Sequence, residues 1–202
     1  MTVAFLLARR LGNFSIVDVA WSFNFTPIAA AVAWFGAGLP MRRALVVGMV
    51  ALWSLRLTVH LARRVAALHP VEEGRYLELR RQWAPDVNRR FFGFFLFQGL
   101  LNALLSVPFV FTSQNPSPSP DLVTILGLLV FVISLSGEAI ADAQLNAFKR
   151  VPENRGKVCQ AGLWRYSRHP NYFFEWLVWC AFALVATSAP WGWISWLCPA
   201  LM

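Results

Sequence analysis

Charge is what this chain has least of. Only 14% of its 202 residues are Asp, Glu, Lys or Arg, against roughly 25% in soluble domains. A water-facing globule cannot be covered with so few charges, and soluble classes are set aside on that ground. Cysteine is scarce as well. The three, Cys159, Cys180 and Cys198, are odd in number and lack metal-ligand spacing, which excludes a disulfide framework and a cysteine-built metal centre. They read as packing residues, and no metal is expected. The first eleven residues carry too brief an apolar run, and no small-residue cleavage site, for a secretory signal peptide. No internal repeat and no second domain are visible.

What fills the chain instead is apolar. Hydrophobic residues make up 57%, with 17 Phe and 10 Trp. Large rings fill helix interfaces in lipid, and the amphipathic ones settle at the headgroup level. The fold class is therefore all-α, a polytopic transmembrane helical bundle forming a single integral membrane domain over residues 1–202. At about 20 apolar residues per span, spans are expected at residues 19–39, 44–62, 91–112, 122–141 and 170–188, about 5 to 6 in all. Residues 113–120, Ser-Gln-Asn-Pro-Ser-Pro-Ser-Pro, cannot stay helical and form a loop. Beyond Pro190 the apolar residues are too few to cross a bilayer unaided.

The net charge of +8 would point to nucleic acid in a soluble chain, but here the basic residues lie between apolar spans, and no nucleic-acid partner is expected. The connection 63–90 holds seven Lys or Arg, the segment 149–168 holds six, and 113–121 holds none. Positive loops stay in the cytoplasm, which places both basic connections and the N-terminus inside and leaves Arg42 and Arg43 outside.

Polar residues within spans are costly and mark candidate sites. Glu138, Asp142, Asn146 and Lys149 follow at steps of four, four and three, on one face of a continuous helix. The plain alternative is a solvated helix end with paired charges. The segment 162–175, GLWRYSRHPNYFFE, follows. Pro170 suits the first turn of a helix, whose free N–H groups and partial positive charge would face Arg165, Arg168 and His169. Such a set suits a phosphate or pyrophosphate, and Trp164, Tyr166 and Tyr172 could stack on an adenine or nicotinamide ring. Anchoring of lipid headgroups is the alternative use of the same residues. In the N-terminal half, Asp18 could cap the first span. Arg56 and His60, one turn apart, could meet a carboxylate such as Asp18 or Glu138, and Trp21 and Trp53 read as packing residues.

The string GLWRYSRHPNYFFE resembles the C-terminal signature of the steroid 5α-reductase-like membrane proteins, in particular the bacterial DUF1295 branch. NFSIVDVAW at 13–21, WSLRLTVH at 53–60, GRYLELRRQW at 74–83, residues 98–108 and DAQLNAFK at 142–149 are similar to that family in order and spacing. RHPNY-like strings also occur in sterol C14-reductases and isoprenylcysteine carboxyl methyltransferases. The resemblance implies an enzyme that binds NADPH through Asp142, Asn146, Lys149, Arg150, Arg165, Arg168, His169, Asn171, Tyr172 and Glu175. The cofactor part would span about 138–180, with the substrate cavity in the N-terminal half. It implies reduction of a conjugated C=C bond in a lipid-like or steroid-like enone, with a lipophilic small-molecule substrate and membrane lipids as the partners. His60, Glu138 and Asp18 are the implied catalytic residues. His60 and Arg63 match a His-aromatic-x-Arg element whose aromatic position is Leu61 here. Family members add an apolar span before this chain's start and one after its end, which implies a chain shortened at both ends. A methyltransferase of the related fold using S-adenosylmethionine, and a non-catalytic headgroup-binding membrane protein, remain the alternatives.

Overall fold

Glycine and proline set the first boundaries. A short amphipathic helix, α1 (Thr2–Leu11), ends at Gly12, which adopts the left-handed conformation that a C-terminal cap requires. The next helix, α2 (Ile16–Phe35), starts and stops earlier than the span expected at 19–39, because Gly36 turns extended and Pro40 opens α3 (Pro40–Leu68). The computed structural model describes every residue but Ser119, and among the described residues there are helices and no strands.

Three other boundaries differ from expectation. α3 passes residue 62 because Leu, Ala and Arg continue to favour helix; its 29 residues rise roughly 43 Å, well beyond a hydrocarbon core of about 30 Å. The connection 63–90 is consequently not one loop but the end of α3, a basic helix α4 (Gly74–Gln82) and the start of α5 (Val87–Leu105). The third span is broken: Ser106 ends α5, its hydroxyl donating to the Asn102 carbonyl at 2.7 Å, and α6 (Val107–Gln114) restarts where Pro108 has no N–H to give. Ser113 and Gln114 are therefore helical rather than part of the loop; of that loop, Ser119 lies outside the described residues.

The fourth span is the long α7 (Leu122–Arg150). Asp121 caps it by accepting from the Thr124 amide at 2.8 Å. It is followed by two short 3₁₀ turns, Pro152–Asn154 and Gly162–Arg165, then α8 (Pro170–Thr187), a 3₁₀ turn Gly192–Trp196 and α9 (Leu197–Leu201). Among the described residues four segments, Ile16–Phe35, Pro40–Leu68, Val87–Gln114 and Leu122–Arg150, are long and apolar enough to cross a membrane. The chain is an all-α polytopic bundle.

The chain divides into two compact units, Met1–Gly36 with Pro40–Val110, and Ala37–Leu39 with Phe111–Met202. In the first, α2 packs along α3 through hydroxyls as well as rings: Ser54 donates to the Ser22 carbonyl at 2.6 Å, Thr26 donates to Ser54 at 3.0 Å, and Ser22 meets Thr58 at 3.0 Å. Within apolar surroundings such pairs fix the register of two helices. An aromatic core gathers α1, α4 and α5, with the Phe14 and Phe91 rings stacked 3.9 Å apart and Phe5, Tyr76 and Phe95 around them. In the second unit α7 packs along α8 at small residues. A Cβ at Gly137 would overlap the Phe174 ring, and one at Gly127 would meet Val185. Residues 178–183 of α8 are buried on every side, as in a helix enclosed by its neighbours.

Candidate functional site

α7 runs unbroken through Arg150, so the steps from Glu138 to Lys149 do place four polar groups on one face. Depth grades them: Glu138 and Asp142 are buried, while Asn146, Lys149 and Arg150 are exposed in the last two turns. Cations there complement the negative end of the helix dipole.

α8 begins at Pro170 beside this face. Asn171 Nδ2 lies 3.5 Å from Asp142 Oδ1 and joins the two helices, while Asn171 Oδ1 is buried without a hydrogen-bond partner among the described residues. His169 stands at the helix start with no side-chain cap, leaving the first N–H groups of α8 directed outward. The His169 ring stacks on Tyr172, centroids 5.3 Å apart, and its amide accepts support from Ser167 by donating to that hydroxyl at 3.1 Å. Arg168, His169 and Tyr172 are all exposed, and Glu175, one turn further on, is half-buried.

Arg165 stands elsewhere. Leu163 N donates to Gln144 Oε1 at 2.9 Å, the Trp164 indole N–H donates to the Ala141 carbonyl at 2.9 Å, and Gly162, at φ +57°, lies against Gln144. These bonds fold the Gly162–Arg165 turn over the Gln144 side of α7. Gln144 and Asp142 are two residues apart, about 200° around a helix, so Arg165 and Tyr166 face away from the Asp142–Asn171 contact. They line an open groove of about 690 Å³ with Val132, Ile133, Ser136 and Ile140. Sequence spacing did not separate Arg165 from Arg168; the amide of Gln144, a polar group on an otherwise apolar face, was the signal that could have done so. Of the three rings suited to stacking, Trp164 is the anchor of this turn, Tyr166 borders the groove and Tyr172 is on His169.

In the first unit Asp18 does not cap α2. It is the third residue of the helix, and it accepts the Tyr76 hydroxyl at 2.7 Å with Arg64 4.0 Å away. Arg64 itself grips Glu73 at 2.7 and 2.8 Å. Burial, then the Asp18 charge, push the Tyr76 phenol well above its usual range. Next to it the buried Glu72 carboxylate accepts from the Phe14 amide and from Arg80 Nε and Nη2, the latter two at 2.9 Å, and the Arg80 guanidinium lies 4.9 Å over the Phe14 ring. Neither Tyr76 nor Glu72 stood out as a site residue in the sequence. His60 is half-buried on α3, one turn beyond Arg56.

A family model described as a protein of unknown function, DUF1295, matches residues 4–202. The uncharacterized protein C594.04c of Schizosaccharomyces pombe is 28% identical over 91% of this chain and 60% of its own length, so the chain spans about three-fifths of that relative. The probable O-methyltransferase ustE of Ustilaginoidea virens is 37% identical over 54 residues, 27% of this chain and 18% of that protein. No solved structure matches.

Proposed function

This chain belongs to the DUF1295 family, and from that membership and the arrangement at the end of α7 we propose that it is a membrane-embedded reductase that binds NADPH and acts on a conjugated C=C bond of a lipid-like enone. The observation that carries the reading is the Asp142–Asn171 contact, which brings the polar face of α7 to the open start of α8. Lys149 and Arg150, about two turns further along α7, and Arg168, three residues before Asn171, are exposed cations without an acidic partner among the described residues, and together with outward N–H groups they match the charge and hydrogen bonds of phosphates. The unpartnered Oδ1 of Asn171 and the exposed amide of Asn146 fit ribose hydroxyls or a carboxamide, and Tyr172 with His169 offers a ring surface. The donor set thus fits a dinucleotide, with Asp142, Asn146, Lys149, Arg150, Arg168, His169, Asn171, Tyr172 and Glu175 holding it.

NADPH, when bound, supplies the hydride for the β-carbon of the enone. The protein's part is to exclude water and to polarise the carbonyl while a proton reaches the α-carbon. Glu138 lies on the same face as Asp142, one turn deeper in the apolar stretch of α7, and is the carboxyl group of this unit placed for that role. The basic segment from Lys149 to Arg168 would face the cytoplasm, where the cofactor is found.

A second reading has its own support: the partial match to a probable O-methyltransferase favours methyl transfer from S-adenosylmethionine. That donor carries no phosphate and a single carboxylate, so the clustered cations at this site fit a dinucleotide better. Binding of NADPH, NADH and S-adenosylmethionine to the detergent-purified chain decides between them. NADPH should bind most tightly, and Arg168→Ala and His169→Ala should each weaken it. Preference for S-adenosylmethionine would transfer the assignment to a methyltransferase, and absence of binding by all three would remove the enzymatic reading.

A further inference from the structure

The groove beside Arg165 is independent of the proposed cofactor site, since it lies on the opposite side of α7. It is lined by Val132, Ile133, Ile140 and Phe174, with the Ser136 hydroxyl part-way along and with Gln144, Arg165 and Tyr166 at the end nearer the C-terminus of α7. From Val132 to Gln144 the helix rises about 18 Å, slightly more than half of a hydrocarbon core of roughly 30 Å. The apolar part therefore has the depth of one leaflet, and the polar end falls at headgroup level. Tyr166 is 86% exposed there, as expected of a ring at the membrane interface, and Arg165 contributes the positive charge. The volume, about 690 Å³, lies within the roughly 300–1,000 Å³ of sites that enclose a small molecule.

We propose that this groove holds an anionic phospholipid, one acyl chain lying along Val132, Ser136 and Ile140 and the phosphate bound by Arg165 under Tyr166. Charge complementarity selects the lipid class: a guanidinium pairs a phosphate through two parallel N–H···O bonds, and a headgroup that carries no cation beside its phosphate, leaving the lipid net negative, is favoured beside a basic segment. The Gln144–Leu163 hydrogen bond, at 2.9 Å, keeps the turn that carries Arg165 closed over the helix, so the cation is held at a fixed depth.

The test is lipid retention and thermal stabilisation of the full chain purified in detergent, with phosphatidylglycerol, phosphatidylcholine and inorganic phosphate as separate additions. Phosphatidylglycerol should be retained and should raise the melting temperature above the effect of phosphatidylcholine. Arg165→Gln should weaken that retention about tenfold, Arg165→Lys should restore part of it, and Ser136→Trp, which fills the exposed groove without entering the core, should abolish it. NADPH binding should survive all three substitutions, which separates this inference from the cofactor assignment. Equal stabilisation of the unmodified chain by both lipids would overturn the proposal without any variant. So would competition by inorganic phosphate alone, or an Arg165→Gln protein that keeps its lipid and loses NADPH.

Discussion

The Tyr76 hydroxyl, in the first turn of α4, donates to the Asp18 carboxylate near the start of α2 at 2.7 Å, and with Arg64 and Glu73 it ties a basic connection to the first membrane helix. Tyr76→Phe removes only that donor. Loss of a hydrogen bond to a charged acceptor is expected to reduce stability by about 1.5–3 kcal/mol, read from the denaturation midpoint in detergent.

The same bond has a pH signature. Because the phenol is raised above its ordinary value of 10.0, the native state holds that proton more tightly than the unfolded chain does. Its contribution is complete below pH 10 and is lost as pH rises beyond it. The stability difference between the natural protein and Tyr76→Phe should be constant from pH 7 to 9 and shrink above pH 10. A difference that widens there would contradict the assigned direction.

Arg80 and Glu72 form an unequal pair, the cation 38% exposed and the carboxylate 4% exposed. Arg80→Ala leaves a buried charge with only the Phe14 amide and should destabilise by about 2–4 kcal/mol, at the lower side of the range for buried pairs because Arg80 reaches solvent. Replacing both, as Glu72→Gln with Arg80→Met, should be milder than Arg80→Ala alone. Chemical denaturation of the three variants in parallel checks the order.

Gly137 touches the Phe174 ring where α7 crosses α8. Gly137→Ala should lower stability by about 1–3 kcal/mol through overpacking, and adding Phe174→Leu should return part of it. A single alanine variant as stable as the natural chain would show that the ring moves aside freely.

At the proposed cofactor site, Asn171→Asp sets a second carboxylate beside Asp142, 3.5 Å from its Oδ1 in the present arrangement. The added negative charge should weaken NADPH binding by roughly tenfold, about 1.4 kcal/mol, with the helical content unchanged by circular dichroism. Raising the salt concentration should reduce the difference.

Membrane helices were legible in the sequence because their cause is local. A run of some twenty apolar residues, with charge confined to its flanks, has no other stable environment, and 122–141 or 44–62 needed no knowledge of neighbours. Their ends were read less well. α3 and α7 continue past the apolar stretch because Leu, Ala and Arg remain good helix formers in water, and hydropathy alone does not register this. The polar face of α7 was also legible, since 3.6 residues per turn fixes which side chains share a side once the helix is continuous.

Tertiary structure alone decided which polar residues meet. Asp18 looked like a helix cap and is a partner of Tyr76, 58 positions away in sequence. Arg165 and Arg168 looked like one phosphate-binding pair three residues apart, and Gln144 holds the Gly162–Arg165 turn so that Arg165 lines the groove on the Gln144 side of α7. The reason is physical. Apolar burial is set by each segment's own composition, whereas a hydrogen bond requires two groups to arrive at about 3 Å with matched directions, and packing of distant segments determines which of many possible partners arrive.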